Sequence, residues 1–187
     1  FRFVCAKLKG WIDNGRQAFP VSVNFSTASL MQPSFVEQLT AICSSYHISP
    51  RYMQIEVTER VHDMEGLDIK YLISKLRQAG FTVAIDDFGT EYANLALLSE
   101  VEFDVLKLDK SMIDNISSNP KTKAVVESIS EICTKLGIDM VAEGIETEEQ
   151  FSTLRSCGVG LAQGFLFSRP ISTDEYEERY LNTTIDK

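Results

Sequence analysis

The feature that most constrains the fold is a regular alternation of short β-branched runs with amphipathic segments along the whole sequence. The strands predicted from these runs cover residues 21–24, 53–57, 82–85, 105–108, 139–142 and about 161–167. Strands that alternate with helices pair in parallel, because each connection must cross back over the sheet. The sequence therefore predicts an α/β fold built on a parallel sheet.

The segments between the strands carry helix signals at both ends and apolar residues at helical spacing. The segment from Pro120 to Gly137 is typical, since proline favours the first turn of a helix and glycine favours its end. The residues on one side of this segment recur at helical spacing: Val125, Ile129, Ile132, Cys133 and Leu136. We therefore predict a helix there, with that side packed against the sheet.

Two parallel architectures fit this pattern, and the first strand helps to separate them. A doubly wound sheet usually places a glycine-rich phosphate loop after its first strand, but residues 21–29 contain no glycine. A (β/α)8 barrel needs roughly 200 residues or more, and the chain has 187. We therefore expect a TIM-type (β/α)8 barrel that lacks about its first two strands.

Composition excludes several classes of partner. The net charge of −9 makes the chain a poor electrostatic partner for duplex nucleic acid or for an anionic membrane. No apolar run approaches the roughly 18 residues of a membrane span, and the four cysteines are scattered without a C-x-x-C pair. These features predict a cytoplasmic protein with free thiols and no membrane contact from this segment.

Polar side chains lie in or at the end of nearly every predicted strand. They are Asn24, Glu56, Asp86, Asp87, Lys107 and Glu143. The C-terminal ends of parallel barrel strands share one face, where active sites form. Taken singly, each residue has an ordinary structural role available, such as a helix cap or half of an ion pair. Together they are harder to explain as scaffolding, because carboxylates that converge on one rim repel each other unless a cation neutralises them.

The chemistry of these side chains indicates which cation would bind. Oxygen ligands with no histidine or cysteine nearby select Mg²⁺ or Mn²⁺ over zinc, and an Asp-Asp pair can bridge two such ions. Two metal ions about 4 Å apart suit in-line displacement at phosphorus. Lys107 would orient the attacking water or stabilise charge on the transferred group. The residues therefore predict metal-dependent cleavage of a phosphate ester.

Six short motifs, in order along the chain, resemble those of the EAL domain family. They read V-N-F-S at 23–26, E-V-T-E at 56–59, D-D-F-G-T at 86–90, K-L-D at 107–109, A-E-G-I-E-T at 142–147 and Q-G-F-L-F-S-R-P at 163–170. The resemblance implies a modified TIM barrel that hydrolyses cyclic di-GMP to linear pGpG in bacterial second-messenger signalling. It also implies that residues 1–187 belong to a single EAL domain and form its C-terminal three quarters.

The resemblance implies a role for each matched residue. Asn24, Glu56 and Asp86 would hold one Mg²⁺ or Mn²⁺ ion, while Asp86, Asp87 and Glu143 would hold the other. Lys107 would position the nucleophilic water, which makes Lys107, Asp86 and Glu143 the catalytic set. Glu59 would steady the loop after Asp87, and Asp109, Glu146 and Gln163 would support or contact the substrate region.

Two departures from the family pattern suggest an alternative function. The glutamate of the E-A-L signature, a metal ligand in the family, is expected on a strand before Phe1. After Asp87, the loop carries Glu91 where the family has glycine, and Ala93 and Asn94 replace two hydroxyl residues. The alternative is a degenerate domain that acts as a cyclic di-GMP receptor or a protein-interaction module. The family also implies a homodimer and an upstream sensor or GGDEF domain as partners.

Overall fold

The computed structural model describes residues 1–58, 68–90 and 95–181, and its centre is a parallel sheet of six strands. The strands are β1 (Val21–Asn24), β2 (Met53–Thr58), β3 (Thr82–Phe88), β4 (Val105–Leu108), β5 (Asp139–Ala142) and β6 (Leu161–Ala162). They lie side by side in chain order, whereas the order of a doubly wound sheet reverses at a switch point. This order confirms the α/β fold of the barrel type.

Helices cross from each strand to the next and cover the sheet. They are α1 (Arg2–Asp13), α2 (Thr27–Leu30), α3 (Phe35–Ser45), α4 (Ile69–Gln78), α5 (Leu95–Glu100), α6 (Lys110–Ile113), α7 (Pro120–Leu136), α8 (Glu148–Ser156) and α9 (Thr173–Tyr176). A 3-10 turn at Pro50–Tyr52 precedes β2, and a π-helical turn at Glu177–Leu181 follows α9. Within the described residues, none of these helices is long and apolar enough to cross a membrane.

The hydrophobic core fills the space between the sheet and the helices. Its inner members include Ile55 and Val57 of β2, Leu106 of β4 and Leu76 of α4, all fully or almost fully buried. The strands nearest the middle of the sheet are covered on both faces, and every residue of β4 is buried. A polar side chain in such a strand must therefore find its partners inside the protein. The four cysteines are buried free thiols.

Strands β1 and β6 form the two edges of the sheet in the described part of the chain, so the barrel is open there. Helix α1 and the C-terminal helical segment meet across this opening. Lys7 Nζ lies 2.9 Å from Glu177 Oε1, and the rings of Trp11 and Tyr176 are 5.7 Å apart between centroids. These contacts join the segment that precedes β1 to the segment that follows β6.

Three predicted strands end at other positions in the structure, and one of them, β2, extends by a single residue to Thr58. Strand β6 stops at Ala162, and the expected extension to residue 167 is wrong because the backbone turns, with Phe167 N donating to Gly164 O. Leu166 N donates to Ile145 O, which holds this turn against the residues that follow β5. Strand β3 runs beyond its predicted end at residue 85 to Phe88, and it therefore includes both aspartates.

The buried face of α7 also differs from the predicted face. Val126, Ile129 and Cys133 are buried, whereas Val125 and Leu136 are half exposed. Both apolar rows have helical spacing and share Ile129 and Cys133, so the sequence pattern does not decide between Val125 and Val126. Packing against the sheet selects the row that contains Val126.

We predict that Val126→Ala lowers the free energy of unfolding by about 2 kcal/mol, because it removes two buried methyl groups and leaves a cavity. The matched change Val125→Ala should alter it by less than about 0.5 kcal/mol, because Val125 is 50% exposed and Val126 is 0% exposed. Urea unfolding of both variants measures the difference. Equal losses would contradict the placement of this helix.

Candidate metal and catalytic site

The ammonium group of Lys107 lies at the centre of three carboxylates. Its Nζ is 2.7 Å from Glu56 Oε1, 2.9 Å from Asp86 Oδ1 and 2.8 Å from Glu143 Oε1. The structure therefore brings together four of the six residues that the strand ends predicted. We call Lys107, Glu56, Asp86 and Glu143 the carboxylate cluster.

The strand order explains why these side chains meet. Glu56, Asp86 and Lys107 lie in the neighbouring strands β2, β3 and β4, and Glu143 directly follows β5. The C-terminal ends of parallel strands share one rim, so each strand delivers its polar residue to the same place. The N–H of Glu143 donates to Leu108 O, which fixes this residue beside the end of β4.

A bulge in β3 sets the position of Asp86. Ile85 pairs with Leu106 and Phe88 pairs with Leu108, so Asp86 and Asp87 together lie opposite the single residue Lys107. The backbone of Asp87 is left-handed, with φ of 58°, a conformation that aspartate tolerates better than most residues. The N–H of Asp87 donates to Asp86 Oδ1 over 3.0 Å. The bulge therefore leaves Asp86 facing Lys107 while Asp87 is exposed.

Three members of the cluster are buried, with Glu56 4% exposed, Asp86 8% and Lys107 6%, whereas the side chain of Glu143 is 19% exposed. Burial alone would lower the pKa of Lys107, but hydrogen bonds and charges from Glu143, Glu56 and Asp86 raise this pKa above its ordinary value. For Glu143, burial raises the pKa of the carboxyl, and the attraction of Lys107 only partly opposes this rise. Lys107 therefore stays charged, and its single positive charge is shared among the surrounding carboxylates.

The cluster has acceptor capacity that protein groups do not use. Three carboxylates face one ammonium, which leaves an excess of two negative charges when all four groups are ionised. Glu143 Oε1 lies 2.8 Å from Lys107 Nζ, and no other described group donates a hydrogen bond to this buried oxygen. Hard oxygen donors with excess negative charge fit a divalent cation such as Mg²⁺ or Mn²⁺.

The present spacing of the carboxylates is that of an ion-pair cluster. In residues 1–58, 68–90 and 95–181, no three His, Cys, Asp or Glu side chains converge at metal-ligand spacing. The carboxylates of Glu56, Asp86 and Glu143 converge on Lys107 instead. Small side-chain shifts around Lys107 would be needed to bring two or three of these oxygens onto one ion.

The two other predicted metal ligands lie at the same rim with exposed side chains. Asn24 ends β1 and pairs in register with Glu56, so it lies beside the cluster. Asp87 follows Asp86 at the bulge. Both are accessible from solvent, in contrast to the buried carboxylates.

The predicted supporting residues are spread around this rim. Asp109 caps α6, where its carboxylate accepts a hydrogen bond from Ser111 N; burial opposes ionisation, but hydrogen bonds from Ser111 and Lys110 lower the pKa of Asp109. Glu146 Oε1 lies 2.6 Å from Lys110 Nζ. Gln163 lines a groove at the open side of the sheet, next to Val21 and Ser22 of β1.

Some predicted features lie outside the described residues, and one contact was missed. Glu59 and the loop positions Glu91, Ala93 and Asn94 fall in the parts of the chain that the structure does not describe. The sequence prediction omitted Lys110, the partner of Glu146. Its position directly after Asp109 was the available signal, but a lysine at the start of a helix is more often a solvated residue.

Comparisons with known proteins agree with this geometry. The family model described as "EAL domain" matches residues 1–170. The chain belongs to the EAL domain family. The EAL domain of Mycobacterium smegmatis DcpA superposes with a TM-score of 0.87 at 34% identity, over 95% of this chain and 80% of that chain.

Two further similar proteins carry names that bear on function. The cyclic di-GMP phosphodiesterase NbdA of Pseudomonas aeruginosa is 33% identical over 95% of this chain and 23% of its own length. Klebsiella pneumoniae BlrP1, in a complex with manganese and cyclic di-GMP, superposes with a TM-score of 0.81 at 35% identity, over 90% of this chain and 43% of that chain. The chain spans only 22% to 31% of the length of several curated relatives.

We predict that Lys107→Met, in a buffer with EDTA, lowers the free energy of unfolding by about 3–5 kcal/mol, because it leaves the buried carboxylates of Glu56 and Asp86, and the partly buried one of Glu143, without a counter-charge. The matched change Lys70→Met removes an exposed ion pair with Glu100 at 2.8 Å and should cost less than about 1 kcal/mol. Urea unfolding measures both. A loss below about 1 kcal/mol for Lys107→Met would contradict the view that Lys107 holds the cluster together.

Proposed function

We propose that this EAL domain, formed by residues 1–187, hydrolyses cyclic di-GMP to linear pGpG and uses two Mg²⁺ or Mn²⁺ ions. The observation that carries the proposal is the set of three carboxylates around Lys107, which lie within 2.9 Å of its Nζ at the ends of adjacent strands. Relatives named as cyclic di-GMP phosphodiesterases, and the manganese and cyclic di-GMP complex of BlrP1, support the choice of substrate and metal.

The metal ions would be held by the oxygen ligands at the rim. Those ligands are Asn24, Glu56, Asp86, Asp87 and Glu143. Bound there, divalent cations would lower the pKa of a water molecule and neutralise charge on the phosphoryl oxygens and the leaving oxygen. They would also reconcile an acidic protein with an anionic substrate, since the chain itself has a net charge of −9.

Lys107 supplies a fixed positive charge and hydrogen-bond donors inside the site. A lysine ammonium is charged at neutral pH and has three donors but no acceptor, so it cannot take the proton of the attacking water. Its contacts with Glu56, Asp86 and Glu143 hold it at the rim. When one of these carboxylates moves to a metal ion, the freed N–H would orient a water molecule, and the ammonium would stabilise negative charge that develops on the phosphoryl group.

Hydrolysis of cyclic di-GMP by the full-length protein, followed by chromatography of the products, tests the proposal. We expect pGpG to form with Mn²⁺ and to disappear when EDTA removes the metal, because the carboxylates alone supply no electrophile. Formation of pGpG at the same rate in EDTA would contradict a metal-dependent reaction.

We predict that Asp86→Ala abolishes binding of two metal ions, because Asp86 is the buried residue shared by both proposed ion sites. Titration with Mn²⁺ by calorimetry should show at least one site lost, and turnover should fall by about 100-fold or more. Asp139→Ala is the matched control, since Asp139 is exposed at the opposite end of β5 from Glu143. Unchanged Mn²⁺ affinity in Asp86→Ala would refute the site assignment.

The second candidate function is that of a cyclic di-GMP receptor or protein-interaction module without turnover. It is favoured by Glu91 in place of the family's glycine and by the loss of two hydroxyl residues at positions 93 and 94. Tight binding of cyclic di-GMP by the full-length protein, without formation of pGpG in Mn²⁺, would favour this function. The homodimer and the upstream sensor or GGDEF domain stay predictions.

A further inference from the structure

The one-turn helix α6 lies between the two chain segments that carry the carboxylates. It starts directly after β4, and Asp109 caps it by accepting a hydrogen bond from Ser111 N over 2.9 Å. Ile113 at its end is fully buried, which anchors the turn in the core. Because β4 is paired with both β3 and β5, the turn above β4 can reach the segments that leave both neighbours.

Met112 covers the segment that leaves β3. A Cβ atom on Gly89 would lie 2.5 Å from both Cγ and Sδ of Met112, so this side chain rests directly on the glycine backbone. Gly89 has φ of +96°, and Asp109 N donates to Phe88 O next to it. The backbone after Asp86 therefore takes a left-handed conformation that glycine permits, and Met112 packs directly against it.

Lys110 covers the segment that leaves β5. A Cβ atom on Gly144 would lie 2.7 Å from Cβ and 2.8 Å from Cγ of Lys110, and Gly144 has φ of +68°. The ammonium group of the same lysine lies 2.6 Å from Glu146 Oε1. Lys110 thus contacts Gly144 with its aliphatic stem and Glu146 with its ammonium group, and both of these residues closely follow Glu143.

We propose that Met112 and Lys110 are positioning residues, which clamp the segments after Asp86 and Glu143 from one helical turn. The proposal rests on the proposed function, because the geometry that the clamp protects is that of the metal ligands. Neither side chain needs to touch metal or substrate. Their effect is transmitted through the backbones of Gly89 and Gly144. Because glycine has no side chain, Met112 and Lys110 can pack directly against the main chain there.

The two residues allow site geometry and overall stability to be measured separately. Lys110 and Glu146 form a half-exposed pair, with side chains 46% and 48% exposed, so the pair contributes little to stability. Lys70 of α4 and Glu100 of α5 form a matched pair at 2.8 Å, with side chains 53% and 46% exposed. Ile42 of α3, also half-buried against the core, is the matched control for Met112.

The experiment measures Mn²⁺ affinity by calorimetry without substrate, together with kcat, KM and Tm, in the full-length protein. We expect Lys110→Ala and Met112→Ala to weaken Mn²⁺ binding by about 10-fold and to lower kcat more than they raise KM, as residues that orient metal ligands do. Lys110→Arg and Met112→Leu should restore both values to within about twofold, because they keep the contacts with the glycines. Lys70→Ala and Ile42→Ala should leave Mn²⁺ affinity unchanged.

Two results would overturn the inference while leaving the proposed function intact. One is a wild-type protein that binds Mn²⁺ and hydrolyses cyclic di-GMP, with Lys110→Ala and Met112→Ala binding Mn²⁺ equally well. The other is an equal loss of affinity in Lys70→Ala or Ile42→Ala, which would show a general effect of lost stability. If Met112→Ala fails to fold, Lys110→Ala still tests the inference, because the half-exposed side chain of Lys110 contributes little to stability. A wild-type protein that binds no Mn²⁺ would instead refute the proposed function, and this inference with it.

Discussion

The rest of the site depends on the charge balance around the buried ammonium of Lys107. Placing three carboxylates together inside a barrel rim is costly, because their charges repel and each loses its hydration. Lys107, at 2.7 to 2.9 Å from all three, makes the arrangement tolerable but does not neutralise it. The remaining negative charge is what a divalent cation would use. In a cluster that served only stability, we would expect equal numbers of positive and negative groups, whereas this cluster has three carboxylates and one ammonium.

The bulge at Asp86 and Asp87 is the local feature that makes this arrangement compatible with a regular sheet. Consecutive residues of a strand face opposite sides, so an ordinary β3 could offer only one of the two aspartates to the rim on a given side. The structure places both opposite Lys107 by adding one residue to β3 and turning Asp87 into the left-handed region. One aspartate is thereby buried against the ammonium, while its neighbour remains exposed to solvent at the same rim.

The sequence predicted those parts of the molecule that depend on pattern and chain order. The bounds of β1, β4 and β5 and the gathering of Glu56, Asp86, Lys107 and Glu143 follow from alternation and from the shared rim of a barrel. It could not predict the buried row of α7, because the rows containing Val125 and Val126 have equal spacing. Nor could it predict the bulge or the contact of Met112 with Gly89, since these depend on how neighbouring strand ends fit together in space.

Diffraction from crystals of the full-length protein grown with Mn²⁺, with data collected for the anomalous signal of manganese, would show whether the carboxylate cluster binds metal. We expect anomalous peaks in contact with Asp86 and with Glu56 or Glu143, and movement of at least one carboxylate away from Lys107. Manganese found only at other positions, with all three carboxylates still in contact with Lys107, would contradict this expectation. In that case the cluster would be a structural ion-pair network.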